Sequence, residues 1–239
     1  MIKKSMVFSN RSSIIKELEG LPVSKPLVIE PDDCEFIVNS SNLNIIVGED
    51  NFVKTFFVAN IVKSTLREGG LVIYVDLDTV FTAFFDLMVH GATNLERLFI
   101  LTPNSDTIEK VMIYVCSILS PHVKLIVLDS ITTFFHLLKD GGPADINRKI
   151  SVYLNLLRGL ARRANRYIII TSMMRAKKTA GTEPESWFPS PTGGRALLGA
   201  KTILKSSKTK DDIEINVIKH NERAFIDRSF RLPVKWGTL

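Results

Sequence analysis

Short, nearly continuous apolar runs alternate along the chain with longer stretches whose apolar residues recur at helical spacing. Leu43–Val47, Leu71–Val75, Val123–Leu128 and Tyr167–Thr171 are runs of the first kind. Each suits one buried strand and is too short for a core helix. Arg97–Leu101 is a further, shorter strand. Between them the pattern predicts a helix from near Lys54 through Phe57 and Ile61 to the Gly69-Gly70 stop. A second runs over Thr79–Val89, and a third from a cap at Asn104 or Ser105 to Leu119, ended by Pro121. After the polar break Lys139–Pro143, a long helix reaches about Asn165. Strands alternating with helices predict a mostly parallel twisted sheet with helices on both faces. The tail differs: Lys201–Lys205, Asp212–Lys219 and Ala224–Arg231 read as shorter strands, antiparallel, at one edge. Residues 1–40 are irregular, broken by Pro22, Pro26 and Pro31, with one short helix at Ile14–Leu18. The organisation expected is an N-terminal extension, 1–40, and one α/β core domain, 41–239.

Composition narrows the class. At 239 residues and 45% hydrophobic, the chain can build a sizeable core. No apolar run approaches a membrane span, and MIKKSMVFSN has no signal-peptide core. Cys34 and Cys116 have neither paired nor metal-ligand spacing, and the four histidines are scattered. Unpaired thiols fit a reducing compartment, so a cytoplasmic location is expected. Lys and Arg number 31 against 25 Asp and Glu, an excess that permits nucleic-acid contact without requiring it.

The stretch Gly48-Glu49-Asp50-Asn51-Phe52-Val53-Lys54-Thr55 matches G-x-x-x-x-G-K-[ST] except that Val53 stands at the second glycine. Such a loop, between a buried strand and a helix, wraps phosphates in backbone N–H groups. Its lysine reaches the β/γ-phosphates and its hydroxyl serves magnesium. A β-branched residue at positive φ is an outlier, so with Val53 either the loop takes another shape or it holds phosphate less well. On that reading Val53→Gly tightens ATP binding. The same eight residues also fit a plain loop before a helix. Farther on, the apolar strand Lys124–Asp129 ends in a carboxylate, where phosphate-loop proteins hold magnesium; an aspartate there also suits a helix cap.

The segment Met173–Gly194 is long for a loop and carries Arg175, Lys177, Lys178, Trp187 and Phe188. Cations interleaved with aromatics suit single-stranded nucleic acid, where bases stack and phosphates are neutralised. A solvated loop with Trp187 packed on the body is the other reading. Arg158, Arg162, Arg163 and Arg166 form a basic cluster on the long helix, read as a solvated face.

Taken together, the ordered motifs resemble the RecA-type recombinase ATPases, in particular archaeal RadA and RadB proteins and their paralogues, over about residues 42–222. LVIYVDLD resembles the family strand that carries the water-polarising glutamate, and KLIVLDSIT its magnesium strand. INRKISVYLNLLRGLARRANRYIIITSMM resembles its long helix and following strand, and PTGGRALLGAKTILKSSK the segment after its second DNA loop. KHNE, at Lys219–Glu222, resembles a basic hairpin of RadB-like and KaiC-like relatives. The resemblance implies a RecA-like P-loop core that uses ATP and magnesium, the latter held by Thr55 and Asp129. It implies a DNA surface at Arg175, Lys177, Lys178, Trp187 and Arg195, with Gly141–Lys149 at the first DNA loop. Three departures fall on nucleotide chemistry. Val53 replaces a glycine, Asp78 stands for the catalytic glutamate, and Met173 stands for the glutamine that senses the γ-phosphate. A shorter carboxylate reaches its water less well.

The reading is a recombinase paralogue that binds single-stranded DNA and assists homologous recombination and repair, with weak or absent ATP hydrolysis. Its expected partners are DNA and a RadA-type recombinase or another paralogue. A competent DNA-stimulated ATPase and a KaiC-like regulator or scaffold without DNA binding are the alternatives.

Overall fold

The computed structural model describes residues 15–16, 18–21, 23, 26–118, 120–138, 141–176, 187–189, 197 and 199–234. Among the described residues ten strands are formed: β1 Leu27–Val28, β2 Asn42–Gly48, β3 Leu71–Asp76, β4 Leu98–Leu101, β5 Val123–Asp129, β6 Tyr167–Ala176, β7 Trp187–Pro189, β8 Thr202–Lys208, β9 Asp212–Lys219 and β10 Ser229–Pro233. The sheet order is β1-β10-β9-β8-β2-β6-β5-β3-β4, and β7 pairs with β6. From β8 to β4 all neighbours are parallel, whereas β8-β9 and β9-β10 are antiparallel. The architecture matches the pattern's expectation, including the antiparallel edge.

Helices α1 Asn51–Arg67, α2 Val80–Ala83 and α3 Phe85–Met88 cover one face. Helices α4 Ile108–Ser117, α5 Ile131–Leu137 and α6 Pro143–Ala164 cover the other. The strands feed both layers by alternation. Ile126 and Leu128 of β5 join the α4–α6 side, while Leu125 and Val127 join the α1 side. Burial on both faces is why these strands read as continuous apolar runs. Leu18, Ile29, Cys34 and Ile37, from the irregular first forty residues, also lie in the α1-side core.

Several elements differ from the sequence pattern. The strand expected over Ala224–Arg231 is a 3-10 turn at Arg223–Phe225 followed by β10, and the helix expected from Asn104 or Ser105 is Ile108–Ser117 with Thr107 as N-cap. The helix expected over Thr79–Val89 is two single turns that part at Phe84 (φ −114°, ψ 33°). Thr79, Val80 and Thr82 are poor helix formers, and Phe84 turns out to meet Phe52 edge-on at 5.2 Å. The expected first DNA loop, Gly141–Lys149, is mostly the opening turns of α6, with Gly142 at the N-cap and Pro143 in the first turn. Proline there has no N–H to leave unpaired and its φ suits the helix. Finally, β6 runs past Thr171 to Ala176, because β7 pairs with its extension.

Candidate functional site

The carboxyl ends of β2, β3, β5 and β6 lie side by side. Register partners Gly48–Met173 and Asp76–Asp129 set their depth. Two-residue alternation then puts Tyr74, Asp129, Thr171 and Met173 on the face covered by α1. Asp129 is fully buried. Its Oδ2 accepts hydrogen bonds from Thr55 Oγ1 at 2.7 Å and Tyr74 Oη at 2.6 Å, and its Oδ1 accepts from Thr171 Oγ1. Burial pushes this carboxyl above the usual carboxylate range, while the Thr171, Tyr74 and Thr55 hydroxyls oppose the shift. The Tyr74 phenol is pushed up by burial and by the Asp129 charge.

Lys54 is equally buried. Its Nζ donates to Asn51 Oδ1 at 2.7 Å, Met173 Sδ at 3.0 Å and Gly48 O at 3.4 Å. Burial lowers its pKa; Asp129, Asp78 and Asp50 act against that. Asp78 turns one oxygen to the hydroxyls of Ser130 (3.1 Å) and Thr133 at the start of α5, and its other oxygen is buried without a partner. Asp76 ties down α2 from the end of β3, accepting from Thr82 N at 2.8 Å and Thr82 Oγ1 at 2.6 Å. The structure thus brings Lys54, Thr55, Asp78, Asp129 and Met173 together.

The segment before Lys54 takes a different form from the open loop expected. Helix α1 starts at Asn51, one turn before the lysine. Asp50 is its N-cap: its carboxylate accepts from Val53 N at 3.3 Å, and its carbonyl accepts from Lys54 N at 3.3 Å. Phe52 stacks on Phe56 with ring centroids 6.0 Å apart. Val53 is in the helix and 1% exposed within the α1-side core. Of the two outcomes open for Val53, the segment takes another shape: a β-branched residue is buried in helical backbone, and cap, aromatic stack and core all favour that extra turn. Gly48 also plays another part. A Cβ there would lie 2.6 Å from Ser206 Oγ and 2.8 Å from Ser206 O, so glycine lets β2 and β8 close on each other.

Whether these residues fit ATP and magnesium divides in two. Thr55 and Asp129 stand together as a magnesium pair would. Magnesium takes one or two carboxylate or hydroxyl ligands and fills its octahedron with phosphate and water. The phosphate half is opposed by this geometry. The helix N-terminus, which attracts anions, already holds the Asp50 carboxylate, and Glu49 beside it is a second exposed acid. No cluster of three or more His, Cys, Asp or Glu that could hold a metal is found among the described residues.

Beyond Met173, β6 continues into an antiparallel ribbon: Met174 pairs with Pro189, Arg175 with Phe188 and Ala176 with Trp187. The ribbon starts at the same sheet end as Lys54. Lys177, Lys178 and Arg195 lie outside the described residues. Sequence reasoning missed Asp50 as a cap, although an aspartate just before an apolar helical repeat is the usual signal. It also missed Tyr74 and Thr171, whose adjacency to Asp129 depends on the strand order β3-β5-β6.

No known family's sequence pattern matches the chain, and no curated protein matches it. Among solved structures it is similar to the crystal structure of the RadB recombinase. That match has a TM-score of 0.57 at 19% identity and covers 83% of this chain and 93% of that one. The fold is the RecA-like recombinase fold that the motifs imply. Among the described residues, no helix is long and apolar enough to cross a membrane.

Proposed function

We propose that this protein is a recombinase paralogue that binds single-stranded DNA and assists homologous recombination and repair, holding ATP and magnesium weakly and hydrolysing ATP slowly or not at all. One observation carries the reading. Strand β6 passes Lys54 at Met173 and goes straight into the β6–β7 ribbon, so the basic, aromatic segment is anchored at the candidate nucleotide site. The Asp50 cap supports the weak-nucleotide half, since a carboxylate in the anion position opposes a phosphate there. Arg175, Lys177, Lys178 and Arg195 are the proposed phosphate contacts, and Trp187 the stacking platform.

A competent ATPase is the second reading. It is favoured by the neighbouring Thr55 and Asp129 and by the unpartnered oxygen of Asp78, which could orient a water. In it, Asp78 is the catalytic carboxylate and the first turn of α1 opens to admit ATP.

Titration of a labelled single strand, paired with ATP turnover with and without DNA, tests both. Binding that weakens when Arg175, Lys177 and Lys178 become alanine, with the salt slope falling by roughly one unit per lost contact, supports the proposal. Trp187→Ala is expected to cost about 1–3 kcal/mol. A triple variant that binds as well as the parent removes this segment as the DNA surface. Turnover near ~10 per second selects the ATPase reading.

A further inference from the structure

At the opposite end of the sheet from Lys54 lies an open cavity of about 350 Å³. It sits where β2 and β8 begin and α6 ends, and its lining includes Ser40, Asn42, Arg162, Lys201 and Asn221. Every lining residue is polar or cationic, and none is a carboxylate. Asn42 and Gly48 are the two ends of the seven-residue strand β2, so the cavity is about 20 Å from the Lys54 site at ~3.3 Å per residue.

The four arginines expected to form one solvated helix face separate here, and Arg166 lies past the C-cap of α6 at Asn165. Arg166 is fully buried and holds the end of α4 by donating to Ile118 O at 2.8 Å and Ser120 O at 2.6 Å. Arg163 bonds Gly159 O, and Arg158 bonds Asn155 Oδ1. Arg162 has no hydrogen-bonding or ion-pair partner among the described residues, and neither has Lys201; both are exposed and line the cavity. Asn42 is only 6% exposed. Its Oδ1 accepts from Leu43 N at 2.8 Å, while its amide nitrogen is left without a partner among the described residues.

The floor is held in place beforehand. Asn44 clasps the turn by accepting from Asn39 N at 2.7 Å and donating to Asn39 O at 2.8 Å. Ser41 is left-handed (φ 65°), held by its N–H on Arg166 O and its hydroxyl on Asn165 Oδ1.

We infer that this cavity is a second anion site, one that takes a phosphate group together with the sugar attached to it. An arginine fork, a lysine charge and neutral amide and hydroxyl donors around one opening match an oxyanion with several acceptor oxygens. The volume lies at the small end of ligand sites and exceeds what a lone phosphate needs. The phosphate belongs to a free nucleotide or to the end of a nucleic-acid strand.

Calorimetric titration of the full chain tests this with thymidine 5′-monophosphate, thymidine, and short oligonucleotides bearing a 5′-phosphate or a 5′-hydroxyl. Thymidine monophosphate is expected to bind at least tenfold more tightly than thymidine. Arg162→Ala with Lys201→Ala is expected to weaken it at least tenfold, Arg162→Lys alone to retain part of it, and Lys54→Ala to leave it unchanged. Both cations are exposed, so an unaltered circular-dichroism melt separates lost binding from lost folding. Preference for the 5′-phosphorylated strand assigns the ligand to a strand end, and preference for the mononucleotide to a free nucleotide; either supports the site. Thymidine binding as tightly as its phosphate overturns it. So do binding unaffected by the double variant, binding lost in Lys54→Ala, and no saturable binding of any phosphate-bearing probe.

Discussion

The amino group of Lys54 lies 3.0 Å from the thioether sulfur of Met173, the last β6 residue before its ribbon with β7. A thioether is a weak acceptor, and it offers a γ-phosphate no hydrogen-bond donor. A ligand shifts a segment only through a differential interaction with its two states. ATP and magnesium are therefore expected to change single-strand affinity less than tenfold, or about 1.4 kcal/mol. Lys54→Ala is expected to leave DNA binding nearly intact. Titrations of a labelled strand with and without ATP measure both. A large ATP-dependent gain that Lys54→Ala abolishes would mean the coupling runs by another route.

Asp50 makes a prediction with two opposite signs. Asp50→Ala removes the α1 cap and is expected to cost about 1 kcal/mol, lowering the melting midpoint by roughly 2–4 °C. The same change frees the Val53 N–H and takes a negative charge from the helix N-terminus, so affinity for ATP is expected to rise. Calorimetry and a thermal melt on one sample read both. Loss of stability with unchanged ATP affinity would show that the cap is not what keeps phosphate out.

Val53→Gly restores the glycine of the phosphate-loop pattern, yet the structure predicts harm. Val53 is 1% exposed in the core and helical. Removing its side chain and placing glycine in a helix is expected to cost about 2–4 kcal/mol. Chemical denaturation measures this. A variant as stable as the parent would mean that the first turn of α1 is not well formed in solution.

Burial pushes the half-buried Cys116 thiol from its ordinary 9.0 up to about 11, and the fully buried Cys34 thiol farther still. The thiolate is the reactive form. At pH 8 the Cys116 thiolate is then on the order of 100-fold scarcer than for an ordinary thiol. Iodoacetamide labelling is expected to be slow at pH 8 and to rise about tenfold per pH unit toward 11, with Cys34 labelled only on unfolding. Peptide mass spectrometry follows each site; rapid Cys116 labelling at pH 8 would contradict its burial.

The sequence alone determined the strand and helix order, the two-sided burial of the sheet and the antiparallel tail. Those follow from periodicity, a local property: Leu125, Val127 and Asp129 share a face of β5 whatever lies beside it. It also marked Lys54, Thr55 and Asp129 as one set, because the spacing of a loop and a strand end is linear information. It left open the backbone between Gly48 and Lys54. Whether those residues loop or coil depends on Asp50 finding Val53 N, Phe52 finding Phe84, and Val53 finding the core. The partners of Asp129, the contact of Lys54 with Met173 and the cavity between Arg162 and Lys201 were decided by tertiary structure. Each joins residues far apart in the chain, and only the order of strands in the sheet makes them neighbours.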